Sequence, residues 1–471
     1  MNIDSFLLMR HEIILTLILL FIILAEIFAK DKNTVLQLAL VLFIVHTVIG
    51  FFAQNEGSLF GQMYRTNGLL HFIKNTLNVG VLIILLQSFS WIKERMLPEH
   101  KSSEFVILLF SSLLGLYFMI SSGHFLMFYI GLELSSLPIA AMVAFETSKR
   151  RSAEAGIKFI MLAALASGIS LFGISMIYAT TGTVYFHELS NLLQVNSLSL
   201  LGFVFFVAGL SFKISLVPFH FWTADVYEGA PIGVTSYLSV ISKGSAVIIL
   251  MVILFTVMSA FADISKSLLY IISIATMFVG NFFALRQQNL KRFLAFSSIA
   301  QAGFILLGFM SNDTLGISTI VYFVAIYIFT NLAAFGVIQS ISFHTGKENL
   351  EDYNGLYRTN PKLSLVMLLA LFSLAGIPPV AGFFGKFFLF TAAASKGYYL
   401  LVFLAVVNVT ISLYYYLLVV RAIFLRKSDT AIPYFNSHTT MKIGLVVAVS
   451  GVLIIGLLSP IYEYIYQLST L

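Results

Sequence analysis

Apolar residues run through this chain in continuous blocks of about 17 to 28 residues, separated by short polar stretches, and the blocks do not alternate at period two. A helix needs roughly 20 apolar residues to cross a bilayer core, so each block predicts one span. Fourteen helices follow, at approximately 12–29, 34–53, 69–91, 104–121, 124–145, 153–180, 198–221, 233–259, 266–285, 291–310, 315–343, 362–395, 398–425 and 441–466. The first block, Ile13 to Ala29, is too long for the core of an export signal and lacks a small-residue cleavage site, so it reads as a retained helix. The seventh and twelfth blocks are too long for single straight spans and carry Pro218 and Gly376-Ile377-Pro378-Pro379, which predicts broken helices.

Loop charge tests this count. The odd-to-even connections hold eighteen Lys and Arg residues, among them Lys30, whereas the opposite side holds four: Arg10, Arg65, Lys266 and Lys396. Cytoplasmic loops collect basic residues, so both termini are expected on the non-cytoplasmic side. The net charge of +6 then reflects that bias and calls for no nucleic acid. With 59% hydrophobic and 10% charged residues the chain must be solvated by lipid. It contains no cysteine, which excludes disulfides, thiolate-bound zinc and cysteine-ligated iron-sulfur clusters from this chain.

Five basic residues fall inside apolar blocks, and all are lysines: Lys74, Lys158, Lys213, Lys243 and Lys386. A charge at mid-membrane costs about 2.5 to 3.5 kcal/mol on insertion scales, so each needs a partner, a watery cavity or a lost proton. Lysine can lose its proton in such surroundings; arginine effectively cannot. Lys213, five residues before Pro218, Lys243, about ten residues into the eighth helix, and Lys386, seven residues beyond Pro379, lie deep. Lys158 is closer to an interface, and Lys74 reads as a lysine snorkelling from the end of the third helix. Glu133, midway along the fifth helix, has no basic neighbour in sequence and must find its cation on another helix, with Lys213 and Lys158 the natural candidates. Glu26, beside Lys30, reads as an interface residue. His220 sits at the break after Pro218 and either extends a proton path or serves structurally. His46 and His124 read as packing or boundary residues.

Spans four to eight and nine to thirteen each hold five helices with a broken one in fourth place. An odd number per unit inverts the second copy. The expectation is an all-α polytopic membrane protein of about fourteen transmembrane helices: N-terminal helices in 1–103, a first five-helix repeat in 104–259, an inverted second repeat in 260–427, and a C-terminal helix in 428–471. Two breaks with a buried lysine each suggest two half-channels joined by a central row of titratable groups.

Several stretches carry a family resemblance: SFKISLVPFHFWTADVYEGAP from Ser211 to Pro231, GLELSSLP at 131–138, EAGIKFIMLAALASGISLFGISMIYATTGT at 154–183, NLKRFLAFSSIAQAGFILLG at 289–308 and LAGIPPVAGFFGKFFLF at 374–390. Together they span helices five to twelve. The chain resembles subunit N of NADH-quinone oxidoreductase, an antiporter-like subunit of the membrane arm of bacterial respiratory complex I (NDH-1). The DVYEGAP form points to subunit N rather than to subunits L and M, and the long lateral helix of subunit L does not follow the fourteenth block. The resemblance implies a proton-pumping module of the cell inner membrane, working among other membrane-arm subunits. It implies no cofactor in this chain, with NADH, FMN, iron-sulfur clusters and quinone handled elsewhere in the complex. Carried over by position, Glu133 and Lys213 resemble the family's coupling ion pair, Lys158 a helix-six partner, Lys243 the central lysine and Lys386 the terminal lysine. Ile232-Gly233 and Ser242 depart from the family's second proline turn and from a proline before the lysine, which leaves the local geometry at Lys243 open. A subunit of a related cation/proton antiporter or membrane-bound hydrogenase is the nearest rival; a secondary solute transporter and an assembly scaffold are further alternatives.

Overall fold

The computed structural model describes residues 6–29, 31–52, 55–97, 101–428 and 431–470. Thirteen helices are long and apolar enough to span a bilayer: α1 Leu7–Phe28, α2 Lys32–Ile49, α3 Gly68–Met96, α4 Ser102–Ile120, α5 Phe125–Val143, α6 Arg150–Thr181, α7 Ser197–Ile214, α8 Ile232–Val257, α9 Ser259–Ala284, α10 Leu290–Met310, α11 Thr314–Thr345, α13 Tyr399–Phe424 and α14 Thr439–Leu457. The twelfth block makes two shorter apolar helices, α12a Pro361–Ala375 and α12b Ala381–Ala394, which together complete fourteen spans.

Side-chain caps start many of these helices. Asn196 accepts from Leu198 and Ser199 in a capping box at α7, Asn289 from Lys291 and Arg292 at α10, and Asp313 from Gly316 at α11. Helices α10 and α11 are buried on every side along most of their length, as central helices of a large helical membrane protein are. Around α11 pack α3, α10, α12a, α12b and α14, so the core of the molecule lies along this helix.

Contacts between loops bear out the count. Arg292 and Lys158 of the 9–10 and 5–6 sides reach Asp225 of the 7–8 connection, Lys291 reaches Glu348 of the 11–12 connection, and His438 reaches Glu94. At the other end Lys396 pairs with Asp313, and bridges join Tyr64 to Ser122 and His124 to Tyr185. Each of these contacts links connections of the same parity, as fourteen alternating spans require.

The helix limits differ from the sequence pattern in three places. Helix α7 stops at Ile214, seven residues before the block's end, because Ser215 turns left-handed (φ 67°) and the turn containing Pro218 follows; the short helix Trp222–Gly229 then leads to α8. The last block divides at Leu458, after which Ser459–Leu468 forms a separate helix with Pro460 in its first turn. The connection from α2 to α3 carries an antiparallel hairpin, β1 Gly57–Leu59 and β2 Tyr64–Thr66, with Gly57 opposite Thr66 and Leu59 opposite Tyr64. The hairpin is too short to show alternation in the sequence, yet it fixes Tyr64 in a fully buried position.

Candidate functional site

Three of the lysines form the centre of the molecule's polar interior. Lys213 lies in the last turn of α7, and its Nζ donates to Ser135 Oγ at 2.7 Å and Ser136 Oγ at 2.9 Å on α5. Both hydroxyls give their own hydrogens to the Leu132 carbonyl, so their lone pairs are free to face the ammonium. The two helices α4 and α5 approach closely enough to hold this pair in place: a Cβ at Gly115 would stand 2.4 Å from the Ser135 backbone nitrogen. The break after α7 is fastened by Trp222 Nε1, which donates to the Phe212 carbonyl at 3.0 Å, and by Val217 N, which donates to Thr276 Oγ1 at 3.1 Å.

Lys243 is 2% exposed and directly follows a π-helical turn, Leu238–Ser242, inside α8. That widened turn stands where the resemblance called for proline, and such turns favour functional sites in helices. Its Nζ donates to Ser298 Oγ on α10 at 2.9 Å, and Ser298 in turn donates to Ala295 O. One turn along α10, Gln301 Nε2 donates to Leu374 O at 3.1 Å. The same carbonyl accepts from Lys386 Nζ at 2.7 Å, with Ala375 O at 3.3 Å. Lys386 thus sits on α12b against the carbonyl end of α12a, where backbone acceptors lack helical partners, and over the Phe304 ring at 4.8 Å. Ser373 locks this break by accepting from Gly382 N and meeting Thr330. A cleft of about 20 Å3, room for one water, is lined by Lys213, Ser136, Leu238 and Ser242 and leads from Lys213 toward α8.

The remaining expected residues are placed differently. Glu133 is half-buried and close enough to act electrostatically on Lys213, but among the described residues it forms no ion pair with it; the serines take the ammonium's hydrogen bonds. Lys158 does not reach Glu133 either. It is 42% exposed and pairs at 2.7 Å with both Glu154 and Asp225, in a network with Arg292, Glu228 and Arg151. Burial works against the charge on Asp225, but hydrogen bonds from Lys158 and Arg292 outweigh it and hold its carboxyl below the usual range. His220 is buried at the α7 break, its ring tilted 31° against that of Phe221, and its Nδ1 has no partner among the described residues.

Lys74 does not snorkel. It is fully buried and pairs with Glu12 of α1 at 2.5 Å, an ion pair between residues 62 positions apart. His46, expected as packing, is hydrogen-bonded to Tyr117 in the same cluster. His124 caps α5 by accepting from Leu126 N, and Glu26 pairs with Lys32 at the interface; Lys30 lies outside the described residues. The sequence reading missed Ser135, Ser136, Ser298 and Gln301, since hydroxyls and amides inside apolar blocks carry no hydropathy signal as strong as a charge.

Comparison with known proteins agrees with this architecture. Residues 122–412 match the family described as NADH:quinone oxidoreductase/Mrp antiporter, TM. The chain is 48% identical to NADH-quinone oxidoreductase subunit N of Phocaeicola vulgatus over 98% of each sequence. It is 44% identical to the subunit N of Azobacteroides pseudotrichonymphae over 100% of this chain and 99% of the relative. In structure it is similar to a chain of respiratory complex I from Thermus thermophilus, with a TM-score of 0.80 and 27% identity over 96% of this chain and 97% of that one. The Mrp complex from Dietzia has a chain with a TM-score of 0.86 at 19% identity, covering 100% and 97%, which speaks to fold alone. Full-length identity at this level, with the lysine row and both helix breaks in one polar interior, places the chain in the NADH-quinone oxidoreductase subunit N family.

Proposed function

We propose that this chain is a proton-translocating subunit of the membrane arm of an NADH-quinone oxidoreductase, in the translocase class. NADH oxidation and quinone reduction, with FMN and iron-sulfur clusters, take place in other subunits. The observation that carries the reading is the polar line from Lys243 through Ser298 and Gln301 to the Leu374 carbonyl and Lys386. Along it each amine is held by neutral acceptors, which solvate an ammonium without fixing its proton in place. Glu133 modulates Lys213 from a short distance; a change in charge at that carboxylate decides whether Lys213 keeps its proton or shares it across the cleft with Lys243. Lys386 then releases it toward the far side. Lys158 and His220 border this path at the α7 break. The excess of basic residues in the odd-to-even connections supports a cytoplasmic face there, and a bacterial cell membrane location with both termini outside.

A stand-alone antiporter subunit would share the fold, but the relatives of 44% and 48% identity all bear the oxidoreductase name. The test is NADH-driven proton pumping by membrane vesicles. Lys213→Ala and Glu133→Ala should each lower pumping while the complex assembles and oxidises NADH; undiminished pumping by either assembled variant sinks the scheme.

A further inference from the structure

Where the 11–12 and 13–14 connections meet the membrane, a groove of about 480 Å3 opens between the start of α12a and the start of α14. A strip of the 13–14 connection, Tyr434 to Ser437, forms its roof. The strip is anchored at both ends. Asn360, just before α12a, donates from Nδ2 to the Pro433 carbonyl at 3.1 Å, and Ser437 Oγ meets Ser340 Oγ of α11 at 2.9 Å. Asn360 Oδ1 also turns to the roof, accepting from Phe435 N at 3.4 Å. With that side chain so committed, the first turn of α12a has no side-chain cap, and the positive end of its dipole lies at the groove.

Two lysines flank the mouth. Lys362 is the second residue of α12a and Lys442 the fourth of α14; both are exposed, and neither forms an ion pair among the described residues. No carboxylate among the described residues lines the groove. Asn436 accepts from Lys442 Nζ at 2.6 Å, which holds the ammonium at the roof. Below the lysines the surface becomes apolar at once. Leu445, Val446 and Val449 follow Lys442 at the i+3, i+4 and i+7 positions of one α14 face, and Leu363 and Val366 line the groove from α12a. Seven helical residues rise about 10 Å, so this floor runs from the interface into the hydrocarbon zone. Val446 is 64% exposed and Tyr434 73%, which leaves the groove open toward lipid with a tyrosine ring at headgroup height, where such rings gather.

Basic residues on this face have a general explanation in the bias of loop charge, and long side chains there ordinarily reach for water. That bias accounts for two lysines but not for a concave apolar slot beneath them. A partner helix would match the slot, yet it would bury both ammonium groups unless it carried carboxylates at the same height. A phospholipid brings both halves in one molecule, and basic pockets between transmembrane helices suit anionic headgroups. We infer that this groove binds an anionic phospholipid of the leaflet on this face, with its phosphate between Lys362 and Lys442 and one acyl chain along the floor. One wall is α12a, whose far end holds Lys386 through the Leu374 carbonyl, so the lipid lies against the support of that lysine. Binding here involves no proton transfer and stands apart from the pumping scheme.

The test uses the assembled complex in lipid discs of phosphatidylcholine doped with phosphatidylglycerol that carries a photoreactive group in its acyl chain, with labelled peptides mapped by mass. Label should concentrate in 363–366 and 445–449, and photoreactive phosphatidylcholine at the same doping should label these segments several-fold less. Lys362→Gln and Lys442→Gln should each lower phosphatidylglycerol labelling there about fivefold, and the pair about 25-fold, with labelling on the outer faces of α1 and α6 unchanged. Val446→Trp fills the slot and keeps both lysines, and it should lower the labelling as well. Equal labelling by the two lipids, or full labelling in the lysine pair or in Val446→Trp, makes the groove ordinary lipid-facing surface and overturns the inference. Absence of label from both segments in the natural complex assigns the groove to a partner subunit and overturns it equally.

Discussion

At the scale of single residues, the deep lysines are distinguished by what holds them. Lys243 donates its side-chain hydrogen bond to the Ser298 hydroxyl, which in turn donates to the Ala295 carbonyl. Ser298→Ala should leave the fold intact and slow proton pumping, since it removes the first acceptor on the way to Lys386; flash or pulse measurement of pumping in vesicles would detect it. Lys243→Arg should be as defective as Lys243→Ala, because a guanidinium keeps its proton. Full pumping by the arginine variant would show that charge alone, and not proton exchange, is needed at 243. The lysines and Glu133 were legible in the sequence because a charge inside an apolar block has no cheap explanation. Their partners were not. Ser298 adjoins Ser297, and nothing in composition separates the hydroxyl that holds Lys243 from the one that meets Tyr416 at 2.5 Å. Lys74 was misjudged because its counter-ion, Glu12, is on another helix and can be found only by folding.

At the scale of elements, the two breaks are the devices that bring lysines to the interior. Gly376 ends α12a at φ 84°, a conformation that costs a residue with a Cβ about 1 to 2 kcal/mol, and an added Cβ would stand 3.1 Å from Lys386 Cδ. Gly376→Ala should therefore lower both thermal stability and pumping, and a variant with normal stability and pumping would show that the turn is not what seats Lys386. Gly115→Ala tests the other half. It overpacks the α4–α5 contact at a backbone nitrogen, at a cost of about 1 to 3 kcal/mol, readable as a lower unfolding temperature of the complex. The sequence located both breaks through their prolines but misjudged where α7 stops, because the helix ends at left-handed Ser215, before any proline, and serine carries no such signal. The π-turn ahead of Lys243 was equally hidden, since Ile241 and Ser242 fit an α-helix as readily.

At the scale of the whole molecule, the connections on one face are joined by the network of Lys158, Asp225, Arg292 and Glu228. Asp225 has a depressed carboxyl pKa, so its contribution to stability is present above the unfolded value of about 3.9 and is lost as pH falls through the lower folded value. Arg292→Gln should then lower thermal stability at neutral pH, by about 1 kcal/mol or less for so exposed a network, and the difference from the natural chain should shrink as pH falls below the usual carboxylate range and vanish once pH passes below the depressed folded value of Asp225. A pH-independent difference would point to packing instead. The loop charges that predicted the alternation of fourteen spans are in part the same groups, so this level of the fold was the most legible.

The carbonyl end of α12a carries one more consequence. In membrane transporters, unwound helix ends of this kind are where a dehydrated metal cation is coordinated by backbone oxygens. Here the Leu374 and Ala375 oxygens hold an ammonium anchored by four methylenes to α12b. The protein supplies its own tethered cation to a seat built for a travelling one, so what can move through that seat is the proton and not the ion that bears it.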